Sequence, residues 1–194
     1  MADFKILGIS GSNRAESFNS RLLSLMALKS EPLGISINII DAASFGLEFY
    51  SAEVEEKHGL PAAAVSLKRA FKSADAILFA TPEYNGFPPG ILKNMLDWVS
   101  RRGEGEQTPA EVFSNKLVWV ISTSPGKGGG ARAQKLLATQ LEYLGANVQK
   151  QTVTIGGARD FFSKSDSTPP DITAMIDTFV RDMHQVLSTN KPER

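Results

Sequence analysis

The chain has no cysteine among its 194 residues. That excludes a disulfide framework, thiolate metal ligation, thiol redox chemistry and a cysteine nucleophile. Histidine is scarce as well: His58 and His184 are too few and too scattered for a histidine-based metal site. Neither sign of charge dominates, since Lys plus Arg and Asp plus Glu both number 21. A balanced chain gives no reason to expect nucleic acid or an anionic membrane as partner. No apolar run approaches the roughly 20 residues that span a bilayer. Met1-Ala2-Asp3-Phe4-Lys5 enters a strand pattern directly, with no charged leader or cleavable apolar segment, so a cytoplasmic location is expected. Any redox chemistry must come from a bound cofactor.

What is present reads as an ordinary globular chain, 42% hydrophobic and 22% charged. One domain over residues 1–189 with a polar tail at 190–194 is expected. Strand-like apolar runs at Ile6–Ile9, Ile35–Ile40, Asp75–Ala80, Leu117–Ile121 and Val148–Ile155 alternate with helical patterns. The helices run through Leu22 to Met26, Val65 to Phe71, Pro88 to Arg101, Ala133 to Leu144 and Ile172 to Leu187. Residues 43–60 read as one long irregular connection. Alternating β and α units with apolar strands predict a three-layer α/β fold, a five-stranded parallel sheet in the flavodoxin-like order 2-1-3-4-5. Such sheets bind ligands outside the carboxyl ends of the strands, where the order reverses. The loops after the first, third and fourth strands then surround one crevice.

Each of those loops has suitable chemistry. The first, Ser10 to Ser20, combines small hydroxyl residues, Arg14 and a helix start, which together receive a phosphate. Ser12, Ser17 and Asn19 can donate to phosphate oxygens, and Arg14 adds a forked, charged donor. Helix capping by Ser17 or Asn19 with a solvated Arg14 is the plainer alternative. The second loop is Thr81-Pro82-Glu83-Tyr84-Asn85-Gly86, between a strand pattern and a helical one. Asn-Gly usually joins two strands, but here it does not; its backbone groups and one aromatic ring suit a flat, polar-edged ring system. The third loop, Ser122 to Arg132, contains Gly126-x-Gly128-x-x-Ala131, a weak dinucleotide fingerprint lacking a downstream acid. It reads either as a flexible loop or as a backbone wall along a flat ring.

The stretches Gly11-Ser12-Asn13-Arg14-Ala15-Glu16-Ser17-Phe18-Asn19, Pro82-Glu83-Tyr84-Asn85-Gly86 and Gly90-Ile91-Leu92-Lys93-Asn94-Met95-Leu96-Asp97-Trp98 resemble the NADPH-dependent FMN reductase family. This flavodoxin-like group includes chromate, azo and quinone reductases. The resemblance implies that Ser12, Arg14, Ser17, Phe18 and Asn19 hold the FMN phosphate. It implies that Pro82, Glu83, Tyr84 and Asn85 border the isoalloxazine, with Ser124, Gly126, Gly128 and Gly129 closing its other edge. NADPH or NADH is the implied co-substrate, with Arg132 a possible partner for a 2′-phosphate. The family is usually dimeric or tetrameric, often with the Lys93-to-Trp98 helix near the subunit contact. Phe87-Pro88 departs from the smaller residues common there and implies a pocket mouth that is narrower or more apolar.

The expected activity is a ping-pong NAD(P)H oxidoreductase with no side chain as acid or base, since the flavin carries the chemistry. Backbone N–H groups would stabilise the charge of the reduced ring. The acceptors would be small molecules: quinones, free FMN, azo dyes or chromate. Two alternatives are a flavodoxin-type electron carrier, which the neutral charge disfavours, and a Rossmann-type dehydrogenase using the third loop. Trp98 and the prolines that open its helix give an apolar face wide enough to motivate a homodimer; Trp98 as plain core is the alternative.

Overall fold

The computed structural model describes residues 3–163 and 169–190. In chain order the elements are β1 (Phe4–Ser10), α1 (Phe18–Ser30), β2 (Ile35–Asp41), α2 (Ala52–His58), α3 (Ala62–Ser73) and β3 (Ala76–Ala80). They continue with α4 (Gly90–Val99), β4 (Leu117–Thr123), α5 (Ala131–Tyr143), β5 (Asn147–Val148), β6 (Thr154–Ile155), α6 (Ala158–Ser163) and α7 (Pro170–Thr189). Among the described residues the pairings between these strands are all parallel and the order is β2-β1-β3-β4-β5, as expected. The central strands β3 and β4 are buried at every residue, whereas edge strand β2 alternates. That difference follows from helices covering both faces of a parallel sheet.

The period-two geometry of a strand divides the core into two. Ile6, Leu78 and Trp119 pack against Leu22 and Met26 of α1 and Phe179 and Met183 of α7. Leu7, Ile77 and Val118 face the other way, onto Leu67 and Phe71 of α3, Met95 of α4 and Leu137 of α5.

Three expectations need correction. The fifth strand is not one run over Val148–Ile155 but two short pieces, β5 and β6, both paired to β4. The intervening Lys150-Gln151-Thr152 is too polar to bury on two faces. The Val120 carbonyl is instead met by Gln134 of α5 and by the Thr152 hydroxyl, each at 2.6 Å. The Gln134 carboxamide also donates to Val153 O at 3.2 Å and accepts from the Thr154 hydroxyl at 2.6 Å.

Residues 43–60 are not wholly irregular either. They contain a 3₁₀ turn at Ala42–Phe45 and the helix α2, capped by Ser51. The segment is fastened to α4: Asn94 accepts from the Tyr50 N–H at 2.8 Å and donates to Glu48 O at 2.9 Å. Trp98 Nε1 donates to the same Glu48 carbonyl at 2.8 Å, and Tyr50 packs edge-on against the Trp98 ring. The Glu55 carboxylate, hydrogen-bonded to the Tyr50 phenol, holds the phenol above its ordinary pKa. This settles the place of Trp98. It is fully buried within its own chain and cannot serve as an exposed subunit contact. Of the expected 190–194 tail, residues 191–194 lie outside the described residues.

Candidate active site

The loops after β1, β3 and β4 meet at one edge of the sheet, the carboxyl edge of its strands. The first is anchored from below: the Gly11 N–H donates to Ala80 O at 2.9 Å. Ser12 is buried, and its hydroxyl accepts from the Arg14 N–H at 3.2 Å, folding the chain into a tight polar turn. Ser17 is the N-cap of α1, its hydroxyl oxygen accepting from the Ser20 N–H at 3.2 Å. A capping hydroxyl keeps its own hydrogen for a second partner, so capping and phosphate contact are compatible. The N–H groups of Phe18 and Asn19 have no acceptor among the described residues, as the first turn of a helix requires. Arg14 is exposed and makes no ion pair among the described residues; its guanidinium lies 5.9 Å from the Phe18 ring centroid.

Asn19 behaves differently from the serines. Its carboxamide donates to Thr123 O at 3.0 Å and accepts from the Thr123 N–H at 3.1 Å. It therefore clamps the start of α1 to the end of β4, and one amide hydrogen at most remains for a ligand. Phe18 stacks on Phe162 with centroids 5.6 Å apart, and Phe162 O accepts from Arg21 at 3.1 Å. Phe162 of α6 thus walls the first loop, a contribution with no signal in the sequence around it.

The second loop contains a small hairpin after all. Tyr84 and Phe87 exchange backbone hydrogen bonds at 2.9 and 3.1 Å around Asn85 and Gly86. Both central residues have positive φ, 54° and 84°, the requirement of a type I′ turn that Asn-Gly meets at least cost. The turn joins no long strands; it projects the Tyr84 ring, the Asn85 side chain and Phe87 outward. The Tyr84 hydroxyl donates to Asn13 Oδ1 at 3.3 Å, linking the first and second loops. Glu83 points the other way. Its carboxylate accepts from the Ala133 N–H at 3.2 Å and caps α5, whose first turn has no acid of its own. Pro82 is buried beneath the turn. Arg132 lies against Gly86, where an added Cβ would be 3.3 Å from its Nη1.

The third loop is less free than its composition implies. Gly129 has φ +62°, and a Cβ there would fall 2.7 Å from Thr154 Cγ2 and 2.9 Å from the Ile155 carbonyl carbon. The loop is thereby packed onto β6, with Gly129 buried and Gly126 and Gly128 exposed. Ser124 is half-buried; its N–H donates to Ile155 O at 3.1 Å. The N–H groups of Asn85, Gly86, Gly126 and Gly128 have no acceptor among the described residues.

The residues present fit FMN. One end of the edge offers unpaired helix-start donors, two serine hydroxyls and an unpaired guanidinium, a donor set for a phosphate dianion. The other end offers an aromatic ring and unpaired backbone N–H groups at two loops, a donor set for a flat ring with polar edges.

Comparison with known proteins agrees. Residues 4–160 match the NADPH-dependent FMN reductase family. An NAD(P)H-dependent FMN reductase of Pseudomonas aeruginosa is 39% identical over 161 residues, 82% of each chain. A quinone reductase of Escherichia coli is 32% identical over 153 residues, 79% of this chain and 77% of that one. Among solved structures, the flavoenzyme NAD(P)H:(acceptor) oxidoreductase FerB of Paracoccus denitrificans superposes with a TM-score of 0.80. It covers 96% of this chain and 98% of its own at 24% identity, a likeness of fold. With residues 4–160 matched, from β1 into α6, this chain belongs to the NADPH-dependent FMN reductase family.

Proposed function

We propose that residues 1–189 form one FMN-binding unit that oxidises NADPH or NADH and passes the reducing equivalents to quinones, free flavin or similar small acceptors. The observation that carries this reading is the Tyr84–Asn13 link, which joins a phosphate-type loop to an aromatic, donor-rich loop at one sheet edge. When bound, FMN supplies the hydride-accepting and hydride-donating chemistry. Ser12, Arg14, Ser17, Phe18 and Asn19 hold the phosphate end, Asn19 chiefly by clamping the loop. Tyr84 and Asn85 border the ring, with Pro82 and Glu83 supporting the turn from beneath. Ser124, Gly126 and Gly128 line its opposite edge, and Gly129 sets their position. No side chain is assigned as proton donor.

Nicotinamide and acceptor use the same open face in turn. The 43–60 segment is fastened to α4 rather than free to close as a lid, and an open stacking surface discriminates poorly among flat rings. Double-reciprocal plots at varied NAD(P)H and quinone should therefore be parallel, with several acceptors turned over. Intersecting lines with one productive acceptor would refute the shared face. Arg132, exposed and without an ion pair among the described residues, is assigned to the 2′-phosphate of NADPH. Arg132→Ala should then raise KM for NADPH and leave KM for NADH unchanged; equal effects on both would remove the assignment. An electron carrier of flavodoxin type would oxidise NAD(P)H negligibly without its own reductase, and a Rossmann-type dehydrogenase would be colourless. The absorption spectrum and steady-state turnover of the purified protein separate all three.

A homodimer or homotetramer is part of the proposal, on support other than Trp98. Leu136 and Tyr143 lie seven residues apart on α5 and are exposed, as are Phe49 and Phe87. Among the described residues no helix is long and apolar enough to cross a membrane. A second copy of the chain, in the cytoplasm, is the occupant proposed for these side chains. Light scattering at micromolar concentration should give two or four times the 21.0 kDa of one chain; a monomer mass would overturn it.

A further inference from the structure

Behind the first loop runs a chain of hydroxyl groups that ends on a carboxylate. Asp41, the last residue of β2, accepts from the Ser20 hydroxyl at 3.0 Å. Ser20 Oγ lies 2.8 Å from Ser10 Oγ. Ser10 Oγ in turn lies 3.4 Å from the Ser12 nitrogen, whose N–H points at it. A hydroxyl has one hydrogen to give, and an ionised carboxylate can only accept. Ser20 gives its hydrogen to Asp41, so toward Ser10 it can only accept. Ser10 then gives its hydrogen to Ser20 and turns a lone pair to the Ser12 N–H. The carboxylate thus sets the direction of the Ser10–Ser20 bond, the one link in which either hydroxyl could donate; the Ser12 N–H donates in any case. Without it Ser20 is free to donate to Ser10 or to turn away, the Ser10 hydrogen loses its fixed acceptor, and the hydroxyl pair behind the Ser12 N–H no longer holds one arrangement.

We propose that Asp41 is a positioning residue for the FMN phosphate, acting through Ser20 and Ser10 to fix the turn at Ser12. The proposal rests on the assignment of the phosphate to this loop. Asp41 makes no ion pair among the described residues, so no cation there explains the carboxylate. A purely electrostatic role predicts the opposite sign. Like charges repel, and a carboxylate near a phosphate site lowers affinity unless it does something else.

The test is a fluorescence titration of apoprotein with FMN, alongside thermal melts of the same apoproteins. Asp41→Ala should weaken FMN binding about fivefold, the worth of roughly one hydrogen bond. Asp41→Asn keeps an acceptor oxygen for Ser20 and should restore affinity to within about twofold, which a loss of charge alone would not do. Ser20→Ala should match Asp41→Ala, and the double variant should be no weaker than either, because both break one chain. Melting temperatures should stay together. Unchanged or tighter binding by Asp41→Ala, an Asn variant as weak as Ala, or additive losses would each overturn the proposal. If Arg14→Ala also leaves FMN affinity untouched, the phosphate assignment has failed and takes this proposal with it. If Arg14→Ala weakens binding and Asp41→Ala does not, only the role of Asp41 falls.

Discussion

Arg14→Ala should weaken FMN binding about ten- to hundredfold while leaving the fold intact. The guanidinium is exposed, has no carboxylate partner among the described residues, and rests near the Phe18 ring at 5.9 Å. Nothing in the protein core depends on it. Its neighbours are donors as well: the Phe18 and Asn19 N–H groups and the Ser12 and Ser17 hydroxyls. An unpaired cation among unpaired donors is a site for an anion. A charge-assisted hydrogen bond contributes roughly 1.5–3 kcal/mol, and each ~1.4 kcal/mol is a factor of ten in affinity. Arg14→Lys should fall between, because lysine keeps the charge and loses the planar fork. Affinity should also decline with added salt more steeply for the wild type than for Arg14→Ala, since an exposed charge is screened. The titration that yields the dissociation constants decides the matter; equal values for wild type and Arg14→Ala would place the phosphate elsewhere.

The parts of the fold that were legible in the sequence are those whose signal is local. β3 and the centres of β1 and β4 are apolar runs because helices cover both their faces, and amphipathic α4 and α7 show their buried stripe directly. α2 was missed because it buries no residue, so Glu53, Glu55 and Glu56 show no apolar period to read. The split of the fifth strand was missed because its cause, Gln134, comes from another element. The motifs lie on the three loops that meet at the carboxyl edge of the sheet, but they do not give the direction of each side chain. Arg14, Tyr84 and Asn85 face outward, whereas Asn19, Glu83 and Gly129 turn inward to hold β4, α5 and β6. Asn94 and Trp98, which read as helix and interface residues, hold Glu48 and Tyr50. For the hydrogen-bonded pairs, such directions depend on partners 44 to 104 residues away. A motif can mark a residue without telling a ligand contact from the clamp behind it.

The largest loss of stability should come from Glu106→Ala, far from the three site loops. Glu106 is fully buried in the segment after α4, with Lys68 of α3 at 2.9 Å and only 5% exposed. Lys72 lies 2.9 Å from its other oxygen, and the Gly103 N–H donates at 2.7 Å to the oxygen that faces Lys68. Lys68 also donates to Val99 O at 2.8 Å and Arg101 O at 2.6 Å, so all three of its hydrogens are engaged. Removing the carboxylate strands a buried ammonium, which costs about 3–5 kcal/mol. Replacing both partners with Lys68→Met and Glu106→Leu should cost less than the single change, because no unpaired charge remains. Burial pushes the Glu106 carboxyl up, but its bonds to Lys72, Gly103 and Lys68 outweigh that and leave its pKa below the ordinary value. A carboxyl depressed on folding contributes stability that is complete above its unfolded pKa of roughly 4.3 and lost as pH falls through the folded value. The wild type should therefore lose stability in acid below that range, and Glu106→Gln should not show this component. Urea unfolding of the four proteins at pH 7, and of the wild type and Glu106→Gln down to acid pH, measures both effects. A Glu106→Ala loss under about 1 kcal/mol, or a double variant as unstable as the single, would mean that the pair does not hold this segment to α3.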